Sequence, residues 1–180
     1  DAETIQSFTD NAASAEVQGI EIEFTAVPTD YLTFSSGFGY LDSEFTSYEN
    51  RPLPGGGTID LSGTELPQSP EVTLNLAAQY DTTISNTGFD GFIRGEYIYV
   101  DKFIDGFANQ SSFLTIDARS IVNLRAGVSN GRYDINVFAE NVFDEEYVDA
   151  IATAGGVAFG GTLAAVNKPV YGVTFRARFD

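Results

Sequence analysis

Charged side chains are spread along this sequence in alternation with apolar ones, and they form no recognisable catalytic set. The chain has no His and no Cys, so it lacks the commonest general base and any thiolate nucleophile. A carboxylate pair such as Glu21 and Glu23 could hydrolyse a glycoside. These two residues, however, alternate with apolar ones as ordinary polar side chains on one face of a strand do. We therefore predict no enzyme activity and no cofactor.

An acidic cluster in the second half of the chain contains oxygen ligands of the kind that bind cations. Its five members are Glu140, Asp144, Glu145, Glu146 and Asp149. Ca²⁺ prefers such oxygen ligands, but their spacing matches no calcium-binding loop, and a solvated acidic rim is the favoured interpretation, without a metal. The formal net charge of −17 also argues against a nucleic-acid partner, because phosphate binding requires clustered cations.

The charges belong to segments in which polar and apolar residues alternate, the pattern of a strand with one apolar face. Residues 169–179 are the clearest case, with Tyr171, Val173 and Phe175 on one face and Arg176 and Arg178 on the other. Seven segments of this kind are predicted: residues 17–26, 31–45, 72–80, 89–100, 122–128, 133–139 and 169–179.

The connections between these segments alternate in length. Short turns are predicted at 28–30, 82–88 and 130–131, and long connections at 46–69, 101–115 and 141–168. Residues 141–147 are expected to turn as a short helical piece. Residues 150–166 carry no charge, but they are too few and too rich in Gly for a membrane helix, and a mobile loop is predicted. Alternating short and long connections are typical of an up-and-down membrane barrel.

The alternating pattern alone is compatible with two environments for the apolar faces, a protein core or membrane lipid. In a soluble carbohydrate-binding β-sandwich these faces would pack on each other, whereas in a membrane barrel they would contact lipid. Tyr residues at strand ends, such as Tyr31, Tyr40, Tyr80 and Tyr133, suit the membrane interface, where a ring with one wet end is stable. The faces favour an all-β, antiparallel, up-and-down transmembrane β-barrel.

Four motifs, in order, resemble those of TonB-dependent outer-membrane receptors. They are residues 11–23 followed by Pro28 and Tyr31-Leu-Thr-Phe, then Leu66-Pro-Gln-Ser-Pro70, then residues 137–147, and finally residues 171–179. Three positions depart from the family pattern: Val142 replaces the usual Leu, Val170 stands where a polar residue is commoner, and Asp180 follows the terminal aromatic.

The resemblance implies that residues 1–180 form the C-terminal segment of the barrel domain, about the last seven strands of a barrel of ~22 strands, with the plug domain and earlier strands absent. It implies active import of a scarce nutrient across the Gram-negative outer membrane: a ferric siderophore, a cobalamin-like chelate or an oligosaccharide. A passive porin-like channel is the main alternative. The implied partners are outer-membrane lipid, the remaining strands and plug, the TonB complex, the barrel-assembly machinery and a small-molecule ligand.

Three groups of site residues follow from this interpretation. Charged residues expected to face the lumen are Glu21, Glu23, Arg94, Glu96, Arg125, Arg176 and Arg178. Polar residues in the long connections are candidate ligand contacts: Tyr48, Asn50, Arg51, Asp105, Asn109 and Gln110. Residues of the closing strand that resemble the signal read by the assembly machinery are Tyr171, Gly172, Phe175, Ala177 and Phe179.

Overall fold

The structure is a computed structural model that describes residues 14–52, 57–109, 112–154 and 161–179. Within these ranges no helix is long and apolar enough to cross a bilayer. The strands are β1 (Ser14–Thr29), β2 (Leu32–Ser47), β3 (Arg51–Pro52), β4 (Thr58–Ile59), β5 (Val72–Ile84), β6 (Phe89–Val100), β7 (Phe103–Asn109), β8 (Ser112–Ile116), β9 (Arg119–Ser129), β10 (Tyr133–Glu140), β11 (Tyr147–Ala154), β12 (Gly161–Asn167) and β13 (Val170–Ala177).

Seven long strands form one antiparallel sheet in the order β1-β2-β5-β6-β9-β10-β13. These are the seven strands predicted from the alternating pattern, and each pairs with the one that precedes it among the seven. The all-β, up-and-down prediction is therefore confirmed. β1 and β13 are the two edges, so the barrel is not closed by these strands alone.

Each long connection contains a strand pair of its own. β3 pairs with β4, β7 with β8, and β11 with β12, and each pair is a separate two-stranded sheet. The prediction of a mobile loop at 150–166 is therefore wrong for residues 150–154 and 161–166, which lie in β11 and β12. Ile151 and Thr153 are paired with Ala164 and Thr162, and β-branched residues such as these favour extended backbone.

The segment after β10 is a turn rather than the predicted helical piece. Asn141 and Asp144 have φ angles of 53° and 54°, which an α-helix does not permit. The Asn141 side chain accepts a hydrogen bond from the Glu145 amide and donates one to the Glu145 carbonyl, both at 2.8 Å. The Asn141 amide donates to Asn123 Oδ1 at 3.0 Å. A buried asparagine, 4% exposed, thus holds the turn against β9.

Register places most of the large apolar side chains of the sheet on one face. One row of directly paired residues crosses five strands and contains Phe24, Ser36, Leu76, Tyr97 and Val122. The rows two residues away along each strand lie on the same face. Val173 is 71% exposed and Phe175 63% exposed. Within the described ranges no second sheet covers this face, so the described residues do not form the two-layer sandwich of the soluble alternative.

The most buried apolar side chains lie at the end of the sheet that carries the long connections, called here the long-loop end. They are Phe45, Leu61, Phe103, Ile116 and Ile121. Backbone hydrogen bonds tie the first long connection down beside them: the Leu61 amide donates to the Tyr48 carbonyl at 2.9 Å, and Gly63 donates to Phe45 at 2.7 Å. The base of this connection is therefore packed.

Candidate functional site

The second face of the sheet, called here the polar face, brings the predicted lumenal charges together. Each strand contributes alternate residues to it, because side chains alternate across a strand. Register places on this face all seven residues predicted from sequence: Glu21, Glu23, Arg94, Glu96, Arg125, Arg176 and, just beyond β13, Arg178.

Three of the four arginines in that set are ion-paired. Arg94 Nε lies 2.7 Å from Glu96 Oε1, two residues along the same strand. Arg125 pairs with Glu140 at 3.4 Å and Arg178 with Asp134 at 3.0 Å, two partners that the alternating pattern did not identify. Because most of these side chains are only partly buried, each pair contributes little to stability and mainly orients its charges.

Glu21 and Glu23 stand beside an open notch in the polar face. They are paired across the strands with Gly39 and Gly37, and a Cβ added at Gly37 would meet no atom within 4 Å. With Thr73 and other neighbours these residues line a cavity of about 590 Å³. Within the described ranges neither glutamate forms a hydrogen bond or ion pair, so both carboxylates are available to a partner.

A cluster of bonds lies at the opposite end of the sheet, where the short turns are. The Arg178 guanidinium donates to the Gly131 carbonyl at 2.6 Å and contacts Asp134 Oδ2 at 3.0 Å. The Arg178 amide donates to the Arg132 carbonyl at 2.9 Å, and Asp134 also bonds the Ser129 hydroxyl. Arg178, predicted as a lumenal charge, is thus joined to the β9–β10 turn.

Two glycines on the polar face are covered by aromatic rings. An ideal Cβ at Gly172 would lie 2.3 Å from Cζ of Phe138, its direct partner. At Gly127 it would lie 2.2 Å from Asn136 Oδ1 and 2.6 Å from Phe92. Sequence reasoning missed both rings, because an apolar residue at a polar position has no visible role until its cross-strand partner is known.

The residues predicted as an assembly signal lie along the exposed edge strand. Tyr171, Phe175 and Ala177 fall on the apolar face, Gly172 falls on the polar face under Phe138, and Phe179 follows the end of β13. The Phe175 ring stacks on Tyr133 at 6.1 Å. The strand therefore presents aromatic residues at every fourth position, along a backbone edge that has no partner within the described ranges.

The candidate ligand contacts are divided between two connections at the long-loop end. Tyr48 packs its ring 5.2 Å from Phe45, Asn50 is exposed, and Arg51 begins β3. Asp105 accepts a hydrogen bond from Gln68 Nε2 at 3.2 Å. The backbone of Asn109 ends β7, and Gln110 lies outside the described residues.

Gln68 is a bridging residue that no sequence pattern identifies. It has a φ angle of 59°, and its amide donates to the Ile104 carbonyl at 2.7 Å, beside the side-chain bond to Asp105. The first long connection is therefore bonded to the hairpin of the second. An Asp105 carboxylate held in this way has less capacity left for a ligand.

The acidic cluster is partly neutralised by basic neighbours. Glu140 pairs with Arg125, and Glu146 with Lys168. The hydrogen bond and positive charge of Lys168 lower the pKa of Glu146, and the same hydrogen bond raises the pKa of Lys168. In the described part of the chain, no group of three or more acidic residues lies close enough to hold a metal ion.

Comparison with known proteins agrees with this geometry. Residues 1–156 match the family model described as TonB dependent receptor-like, beta-barrel. The chain belongs to this family. The probable TonB-dependent siderophore receptor PiuA of Acinetobacter baumannii is 23% identical over 145 residues, which are 75% of this chain and 19% of that protein. The chain thus spans about a fifth of the length of this curated relative.

Solved receptor structures have the same fold. The ferric yersiniabactin uptake receptor FyuA from Yersinia pestis matches with a TM-score of 0.72 at 18% identity, over 92% of this chain and 24% of that one. The siderophore receptor PiuA from Acinetobacter baumannii matches with a TM-score of 0.65 at 20% identity, over 90% and 22%. Membership of the TonB-dependent receptor family places the chain in the outer membrane of Gram-negative bacteria, and these relatives are receptors rather than enzymes.

Proposed function

We propose that this chain is part of the wall of a transporter that actively imports a ferric siderophore across the outer membrane. The observation that carries the proposal is the family match over residues 1–156, on a single-layer sheet with one apolar and one charged face. Relatives named as siderophore receptors support this ligand class over a cobalamin-like chelate or an oligosaccharide.

The seven strands would be completed by others. In lipid, an unpaired backbone group costs several kcal/mol, and both β1 and β13 are open edges. We assign residues 1–180 to the C-terminal segment of a barrel of ~22 strands, with its earlier strands and plug outside this sequence. The length of the matched receptors, of which the chain covers 19–24%, supports this assignment.

In that barrel the polar face would line the lumen. Glu21 and Glu23, which have no ion pair within the described ranges, would contact a cationic group of the plug, because buried carboxylates need partners. Arg176 would be available to an acidic one. Energy from the TonB complex would reach the lumen through the plug, and the apolar face would contact membrane lipid. The barrel-assembly machinery would recognise β13 by strand addition.

The long-loop end would contact the siderophore first. The Tyr48 hydroxyl and the Asn50 amide make no hydrogen bond within the described residues, so both can donate to the oxygen atoms of a chelate. Arg51 would add a positive charge toward an anionic complex. Asp105, Asn109 and Gln110 would contribute from the second connection.

Uptake of radioactive iron tests this function. Cells that express the intact receptor as their only siderophore receptor are supplied with ferric siderophores of several chemical classes, with and without a protonophore. We expect saturable uptake of at least one class, and we expect the protonophore to abolish it. Uptake that continues without energy would support the passive channel instead, and uptake of oligosaccharide alone would refute the ligand class.

A matched pair of variants tests the loop contacts. Asn50→Ala removes an exposed amide at the long-loop end, whereas Asn86→Ala removes one in a short turn at the other end. We expect Asn50→Ala alone to weaken siderophore binding, and by about tenfold if one hydrogen bond to a charged ligand is lost. Equal affinities for the two variants would remove Asn50 from the binding site.

A further inference from the structure

The position of the last strand in the sheet is not determined by its alternating pattern. A slip of one residue would turn every apolar side chain of β13 to the polar face, but a slip of two residues leaves both faces unchanged. We propose that two contacts select the observed register over registers shifted by two residues. They are the Phe138 ring over Gly172 and the bonds from Arg178 to the β9–β10 turn, called here the Arg178 clamp.

The first contact lies near the beginning of β13. Phe138 and Gly172 are direct partners, and Cζ and Cε1 of the ring lie 2.3 and 2.4 Å from the place of an ideal Cβ at residue 172. The ring therefore occupies space that only a glycine leaves free. A two-residue slip would put Val170 or Thr174 opposite Phe138, and the Cβ of either would collide with the ring as now placed.

The second contact lies just beyond the other end of the strand. Arg178 makes three bonds to one turn: its amide to the Arg132 carbonyl, its guanidinium to the Gly131 carbonyl, and an ion pair to Asp134. The Asp134 side chain is 14% exposed, so its charge requires a fixed partner. A two-residue slip that puts Thr174 opposite Phe138 would move Arg178 by ~7 Å along the strand and away from the Gly131 carbonyl. The opposite slip would bring Arg176 to the place of Arg178, so the Arg178 clamp opposes the first slip and Phe138 opposes both.

The two contacts act at opposite ends and in different ways. Phe138 opposes slipping by steric exclusion, and Arg178 opposes it by loss of specific bonds. Arg176, directly paired with Asp134, forms no hydrogen bond or ion pair within the described ranges. It has the same charge and lies on the same face, so it is a matched control for Arg178.

Cysteine cross-linking reads the register directly, since the chain contains no Cys. Val137 and Val173 are direct partners, and a Cys at both positions reports the native register. Val137→Cys combined with Phe175→Cys or with Tyr171→Cys reports the two slipped registers. Each Cys pair is introduced into the intact receptor and oxidised in outer membranes, and the yield of the cross-linked product is measured. The backgrounds are the wild-type contacts, Phe138→Ala, Arg178→Ala, both substitutions together, and Arg176→Ala.

We expect the wild-type contacts and Arg176→Ala to give mainly the native cross-link. With Phe138→Ala and Arg178→Ala combined, the ratio of slipped to native product should rise by a factor of about 5 to 30, the change expected when one or two such contacts are lost. A general loss of stability would lower all yields together and leave this ratio unchanged. An unchanged ratio in the double variant would overturn the proposal.

Exchanging the two partners keeps the test decisive if the double variant does not assemble. Phe138→Gly with Gly172→Phe moves the ring to the other strand but keeps the same opposed pair. We expect this exchange to assemble and to restore the native cross-link relative to Phe138→Gly alone. If the exchange behaves like the single variant, the ring and the glycine do not select the register. The cross-link does not depend on transport, so its outcome is separate from that of the uptake experiment.

Discussion

Asn141 shows how a single buried amide can replace regular structure at the end of a strand. Its side chain serves as both donor and acceptor for the backbone of Glu145, and its own amide donates to Asn123 on the neighbouring strand. All of these groups would otherwise require water or remain unpaired. The turn after β10 is therefore specified by one residue rather than by helical propensity.

Asn141→Ala is predicted to destabilise the receptor. The substitution leaves the partly buried amide and carbonyl of Glu145 without their side-chain partner, at a cost of about 1–3 kcal/mol, and it places Ala at a positive φ angle. The measurement is the temperature at which the folded receptor changes to its unfolded electrophoretic mobility. Asn86→Ala is the control, because Asn86 has a φ angle of 65° but no side-chain hydrogen bond within the described residues. Equal shifts would mean that backbone strain alone accounts for the effect.

For single residues, the sequence indicated on which face of the sheet a side chain lies, but not which residue it contacts across the strands. Alternation was enough to place Arg94, Arg125 and Glu96 on one face, because each side chain follows its strand. It could not indicate that Gln68 bridges two connections or that Phe138 lies over Gly172, because those contacts join residues far apart in the chain. Both depend on register, which no local pattern encodes.

Among the elements of the sheet, glycines define where neighbouring strands can be crowded. Gly127 on β9 receives Asn136 from β10 and Phe92 from β6, so three strands meet at one residue without a side chain. Gly37 on β2 faces open space on the same polar face. The same residue type therefore serves close packing in one strand and an open notch in another.

Gly127→Ala is predicted to lower stability by about 1–3 kcal/mol, because the added methyl group overlaps packed atoms and forces them to shift. Gly37→Ala adds the same group where nothing lies within 4 Å and should change stability little. Unfolding in denaturant, followed by fluorescence of the Tyr residues, compares the two variants. A Gly37→Ala variant as unstable as Gly127→Ala would show that strand propensity, and not crowding, governs both positions.

The sequence predicted the seven long strands better than the connections between them. Periods of two residues over seven or more positions are strong signals, and all seven strands were found, although β1, β5 and β9 are longer than expected. The hairpins β7–β8 and β11–β12 were missed, because adjacent apolar residues in the first and Gly, Ala and Thr in the second give little alternation. The two strands of each hairpin are recognised from their pairing with each other, which the sequence of either strand alone does not reveal.

The whole molecule is defined by the polarity of its two faces, and adjacent alanines in β5 test that polarity. Ala78 is paired with Phe34 and Gly95 on the apolar face, and Ala77 with Ser35 and Glu96 on the polar face. Ala78→Lys should cost about 2–4 kcal/mol near the bilayer midplane. Ala77→Lys should be tolerated, because its ammonium group would lie near Glu96.

The amount of folded receptor recovered from outer membranes measures this difference. Both variants start from Ala and introduce the same charge one residue apart, so helix or strand propensity cannot distinguish them. We expect folded protein to fall strongly for Ala78→Lys alone. Similar losses for the two variants, or a greater loss for Ala77→Lys, would contradict the assignment of the apolar face to lipid.

The hydrogen-bonded ladder of the main sheet stops before each outer hairpin begins. Residues 101–102 and 117–118 separate β7–β8 from β6 and β9, and residues 141–146 and 168–169 separate β11–β12 from β10 and β13. Lengthening or replacing either hairpin would thus leave every strand pair of the membrane-embedded part intact. Such segments can change in length and sequence independently of the sheet, and the hairpins of one receptor can be grafted onto the sheet of another.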